Sequence, residues 1–173
     1  LILATTMMAI SFCIGVPLGI MAAIHQNQWQ DNLCMTLALI GISIPNFWLA
    51  LLLVLLFSVK LGWLPAMGIG GLQYYILPAL AGCTGGIATS ARQTRSSMLD
   101  VIRSDYITTA RAKGVPEHQV IIKHALKNGM IPIITVMGTH FGKMLGGTMI
   151  IETIFSIPGM GQLIINAVNG RDY

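Results

Sequence analysis

The sequence predicts an all-α, polytopic membrane helix bundle, and three observations predict it. Of 173 residues, 54% are hydrophobic and 9% charged, with a mean hydropathy of +0.74. Soluble domains carry about 25% charged residues, and a folded chain of this size still exposes roughly 30% of its unfolded surface; that surface must face lipid. Second, four almost uncharged stretches approach the roughly 20 residues that cross about 30 Å of hydrocarbon. Third, Arg92, Arg95, Arg103, Arg111, Lys113, Lys123 and Lys127 form one basic block. Beside apolar spans such a block marks the cytoplasmic side. Despite a net charge of +4, it does not predict a nucleic-acid partner.

Leu1 to Ile24 is the first stretch. Leu33 to Val59 is the second, longer than a crossing needs, so it can tilt or protrude. Ile76 to Ala91 is short, and Arg92 and Arg95 suit a helix that continues past the interface with its guanidinium groups snorkelling. Met130 to Ile151 is the fourth, interrupted by His140 and Lys143. With the basic block inside, His25 to Asn32 is also internal. Lys60 to Tyr75, with Trp63, Tyr74 and Tyr75, is external, as is Glu152 to Tyr173. The chain opens at Leu1 inside an apolar run, which reads as a fragment cut at both ends.

Each stretch contains a proline: Pro17, Pro45, Pro78 and Pro132. Such breaks are tolerated in membranes where neighbours or a wet cavity satisfy the freed carbonyls. Pro45, flanked by Ser43 and Asn46, predicts a kink with polar groups at the bend, serving either a transport path or packing alone. Glycines recur every fourth residue at Gly15–Gly19, Gly82–Gly86 and Gly138–Gly142–Gly146, a spacing that lets helix backbones approach closely. Cys13, Cys34 and Cys83 lack disulfide or metal-site spacing and read as small apolar residues. No pair of His lies one helical turn apart, so no metal site is predicted.

Ser104 to Asn128 is the informative segment. Ser104 is a good N-cap, Asp105 an acid in the first turn, and Gly114 stands where a helix ends in a left-handed residue. Pro116 then opens a second helix with Glu117 in its first turn and Lys127 in its last, ended by Asn128 and Gly129. The reading is two short helices with a small face at Ala110 and Ala112, suited to a groove in another protein. A simple connector is the alternative.

Thr108-Thr109-Ala110-Arg111-Ala112-Lys113-Gly114, followed by His124-Ala125-Leu126, resembles the cytoplasmic EAA loop of binding-protein-dependent ABC permeases, in its dipeptide/oligopeptide/nickel branch. IPNFWLALLLVLLFSVKLGWLPA at 44–66 and GGTMIIETIFSIPGMGQLI…RDY at 146–173 agree. The loop's family-wide Glu is Thr108 here, and the proline of the broader pattern is Lys127; both fit that branch. The resemblance implies a type I importer fold of about six spans, of which one at each end is absent from this chain. It implies a homologous second permease, two cytoplasmic ATPase subunits and an extracytoplasmic solute-binding protein. It also implies an ATPase-docking loop in which Thr109, Ala110, Arg111 and Gly114 make the contact and His124 and Leu126 hold the second helix. The substrate stays open among dipeptide, oligopeptide, glutathione-like peptide and nickel. The chain has no GxxxxGK[ST] phosphate loop, so ATP hydrolysis belongs to another subunit.

Lys143 lies about mid-span, where an unpaired charge costs roughly 2.5–3.5 kcal/mol. With His140 on nearly the same face, it either lines the path with Pro45 and Asn46 or pairs with a partner permease or backbone carbonyls. Glu152, Pro158 and Gly159 belong to an apolar external segment that can narrow the outer mouth, with Glu152 capping it or touching the binding protein. A passive channel or scaffold subunit is the competing class. An intramembrane enzyme needs clustered acids, His or a nucleophile at matched depth, and the spans supply none beyond the His140 and Lys143 pair.

Overall fold

The computed structural model describes residues 1–170, all helix and connecting turn with no strand among them. Helix α1 (Ile2–Ile24) runs uninterrupted through Pro17. It packs along α5 (Thr84–Ile102) because small residues face each other there. A Cβ on Gly15 would stand 2.6 Å from that of Ser90, and one on Gly19 would meet Ala91 and Thr94. Gly82 and Gly86 likewise admit Met7 and Ser11. Two of the three glycine ridges are thus helix contacts. Gly138, Gly142 and Gly146 differ: open space lies beside all three, so this ridge faces out of the described bundle.

The second stretch is not one kinked rod. Helix α2 (Trp29–Ser43) stops before Pro45, and α3 (Asn46–Leu53) restarts at 90° to it. The cause is local. Proline disfavours helical geometry in the preceding residue, and Ile44 is extended at φ −82°, ψ 122°. A π-helical turn, Val54–Lys60, carries α3 onward.

The third stretch departs further from the four crossings the sequence predicts. It divides at Cys83 between α4 (Gln73–Gly82) and α5. Among the described residues, two single helices are long and apolar enough to cross a membrane, or three if the bent pair is one span. Helix α5 falls outside that count because Arg92, Gln93, Arg95 and Asp100 ride on it. It does continue well past Arg95, to Ile102.

After α6 (Asp105–Ala112) the chain turns at Gly114 into α7 (Glu117–Gln119), a π-helical turn (Val120–Ala125) and α8 (Leu126–Gly147). These form one 30-residue helix from Glu117 to Gly146. Asn128 and Gly129 therefore do not end a helix, contrary to their sequence signature. Gly129 is buried where a Cβ would stand 3.2 Å from Met98 Sδ, so its smallness serves packing. The second arm of the elbow is the end of the fourth stretch itself.

Short helices α9 (Met149–Ile154) and α10 (Met160–Gly170) complete the described chain; the Arg-Asp-Tyr end of the third motif, at 171–173, lies outside it. One apolar cluster, with Leu3, Met7, Leu77, Ile151 and Phe155, sits at the end opposite the basic block. Another, with Ala23, Met98, Ile107, Val120 and Ala125, fastens the elbow to α1 and α5. The elbow thus shares a core with the spans, which its short apolar stretches do not suggest alone.

Candidate functional site

The predicted site residues fall in three places. The first is the elbow at the basic end. Ser104 precedes α6 in extended conformation, but its hydroxyl donates back to the Val101 carbonyl at 2.6 Å instead of capping the helix. Gly114 has φ +77°, a region costly for residues with a Cβ. Its N–H donates to the Arg111 carbonyl at 2.9 Å, and that of Val115 to the Ala110 carbonyl at 3.3 Å. Arg111 spans the turn, donating from Nη2 to Glu117 Oε1 at 2.6 Å and from Nε to Oε2 at 3.1 Å. These bonds hold the Glu117 carboxyl below its ordinary pKa range.

The inner side of the elbow is packed, with Ile107, Val120 and Ala125 fully buried. Ala110, His124 and Leu126 are half-buried, and Ala110 and Leu126 pack against that core. Thr108, Thr109, Arg111, Ala112 and Gly114 are exposed on the outer side. The result is a braced corner with an exposed outer ridge.

Two fasteners here escaped the sequence reading. Asn128 Nδ2 donates to Tyr106 Oη at 2.8 Å, tying the second arm to the first. Arg95 on α5 donates from Nε and Nη2 to the two oxygens of Asp31 on α2, both at 2.6 Å, and the Asp31 side chain is 3% exposed. The backbone N–H of Asn27 donates to the same carboxylate at 3.0 Å. The one available signal was Asp31 itself, an acid with no neighbour of opposite charge in sequence.

The second place is a cavity of about 220 Å³ beside the α2–α3 break. Asn46, His140 and Lys143 line it together, with Gly85, Met144 and Thr148. Pro45 makes the break and sets Asn46 at its rim. Asn46 Oδ1 accepts from Thr84 Oγ1 at 3.2 Å. His140 Nδ1 is buried without a hydrogen-bond partner. Lys143 forms no ion pair among the described residues.

The third place is the turn between α9 and α10. Glu152 is buried (6% exposed) and accepts from Thr148 Oγ1 at 2.7 Å and from the Gly161 N–H at 2.9 Å. A Cβ on Gly159 would collide with that carboxylate. Pro158 and Gly159 therefore wrap around Glu152, whose carboxylate is turned inward.

The family described as "binding-protein-dependent transport system inner membrane component" matches residues 15–173. The glutathione transport system permease protein GsiC of Escherichia coli (strain K12) is 48% identical over 171 residues, covering 99% of this chain and 56% of the relative. Its namesake from Salmonella typhimurium (strain LT2) is 49% identical with the same coverage. The chain thus spans about half the length of the curated relatives it matches.

Proposed function

We infer a transport role from one premise: the chain belongs to the family of binding-protein-dependent transport system inner membrane components. We propose that it forms part of one permease subunit of an ATP-driven importer, pairing with a second, homologous permease to enclose the path. A separate extracytoplasmic binding protein delivers the substrate, and two cytoplasmic ATPase subunits supply the work. Residues 104–128 form the coupling segment. The substrate we propose is a small peptide, in line with relatives named for glutathione transport.

The observation that carries this reading is the construction of the elbow. Its second arm is continuous with a 30-residue apolar helix, its inner face is fixed by buried side chains, and its outer ridge is exposed. A push on Thr108, Thr109 or Arg111 is transmitted to α8 without an intervening flexible joint. Asn46, His140 and Lys143, beside the break at Pro45, are the residues we assign to the path. Glu152, Pro158 and Gly159 form a closed turn at the far end, where they shape the outer mouth.

Replacing Gly114 with Val forces a β-branched side chain into a left-handed backbone, at a cost of about 1–3 kcal/mol, and tilts the ridge. Proteoliposomes carrying the assembled complex should then hydrolyse ATP while substrate uptake per ATP falls at least fivefold, with membrane insertion intact. Unchanged uptake per ATP counts against the coupling role.

A further inference from the structure

The cavity at the helix break holds three nitrogen groups and no acid to match them. Lys143 brings an ammonium with three donors and no ion-pair partner among the described residues. His140 brings a buried Nδ1 with nothing bound to it. Asn46 accepts from Thr84 through Oδ1, which leaves its Nδ2 as a donor. The side chains come from two separate helices, α3 and α8, yet line the same cavity.

The nearest carboxylate does not answer them. Glu152 sits one turn beyond Thr148, but its oxygens are occupied by the Thr148 hydroxyl and the Gly161 N–H, and it does not line the cavity. A cationic, donor-rich and acid-free pocket beside apolar Met7, Met144 and Ile151 is built for an anion with oxygen acceptors. Charge-assisted bonds to a carboxylate are the strong ones in such a setting.

Size narrows the choice. At about 220 Å³ the cavity is smaller than the roughly 300–1,000 Å³ of sites that enclose a whole small ligand. It takes one end of a molecule. We propose that Lys143, with Asn46 Nδ2 and the His140 ring beside them, forms a way station for the C-terminal carboxylate of the transported peptide. This rests on the reading of the cavity as part of the path. Gly85 lines the same wall, and nothing lies within 4 Å of where its Cβ would be, so a small side chain there reaches the cavity without a collision.

The test uses the complete importer in proteoliposomes and two probes, glutathione and glutathione with its glycine carboxylate converted to the amide. Each is taken up by the wild type and by Lys143→Met and Lys143→Arg, with complex assembly checked by size exclusion. Discrimination by the binding protein is common to all three, so the ratio of ratios isolates residue 143. The free acid should lose about tenfold or more in Lys143→Met, the worth of one hydrogen bond to a charged group. The amide should change less than about twofold, and Lys143→Arg should keep the preference. An equal loss of acid and amide, or no uptake of the free acid by the wild type, overturns the inference.

A second variant separates this failure from failure of the path itself. In a cysteine-free background, Gly85→Cys should react with a water-borne thiol reagent and be protected by glutathione during turnover. Reaction and protection together with equal losses for acid and amide leave the path standing and remove the carboxylate station. No reaction from either side while uptake proceeds removes both.

Discussion

The two ends of α8 are built on opposite principles. At the basic end three pairs of polar groups close on one another: Asp31 with Arg95, Arg111 with Glu117, Tyr106 with Asn128. One helical run later, Lys143 stands without an ion-pair partner, and His140 Nδ1 without a hydrogen bond, among the described residues. The same helix carries both. A lever must keep its shape under load, which satisfied pairs and a shared core provide. A path must bind briefly and release, which groups left open provide. The difference fits the coupling and path roles proposed for the two regions.

The sharpest way to break that contrast is to remove one charge from each region. Arg95→Leu strands the buried Asp31 carboxylate, and losing one partner of a buried pair costs about 3–5 kcal/mol. Lys143→Met removes an unpaired charge inside the apolar stretch, and should stabilise by up to about 3 kcal/mol. Thermal unfolding of the purified protein in detergent should therefore shift down for the first and up for the second. Shifts of the same sign would show that the two regions do not differ as described.

A smaller effect sharpens the comparison within the basic end. The Arg111–Glu117 pair is exposed on both sides, so it is worth less than about 1 kcal/mol. The folded Glu117 is more acidic than the free side chain. Its contribution is present above the ordinary Glu pKa and is lost as pH falls through the lower folded value. The gap in unfolding temperature between wild type and Arg111→Ala should be small at neutral pH and close as the medium is acidified. A gap that widens on acidification contradicts the bracing role.

What the sequence revealed follows the range of the forces involved. Local signals held. The apolar run from Ile2 to Ile24 forms one helix, Gly114 takes the left-handed conformation, and Pro45 breaks its helix, because each is fixed within a few residues. Signals with two local meanings misled. Asn128-Gly129 has the form of a helix stop, yet Gly129 is small because Met98, on another helix, presses against it. Contacts between distant residues were invisible: Asp31 and Arg95 stand 64 residues apart. The gathering of Asn46, His140 and Lys143 into one cavity belongs between these cases. Their types were conspicuous in apolar stretches, but only the right-angle turn at Pro45 brings Asn46 to the other two.

The central claim is that the elbow at 104–128 stands on the cytoplasmic side, offering its outer ridge to a nucleotide-driven partner. Thiol labelling of Thr108→Cys, on that exposed ridge, in an otherwise cysteine-free protein tests this most directly. In sealed membrane vesicles of both orientations, a membrane-impermeant reagent should react from the cytoplasmic face alone, and the purified ATPase partner should block the reaction. Labelling from the external face, or labelling indifferent to the ATPase, would contradict the account.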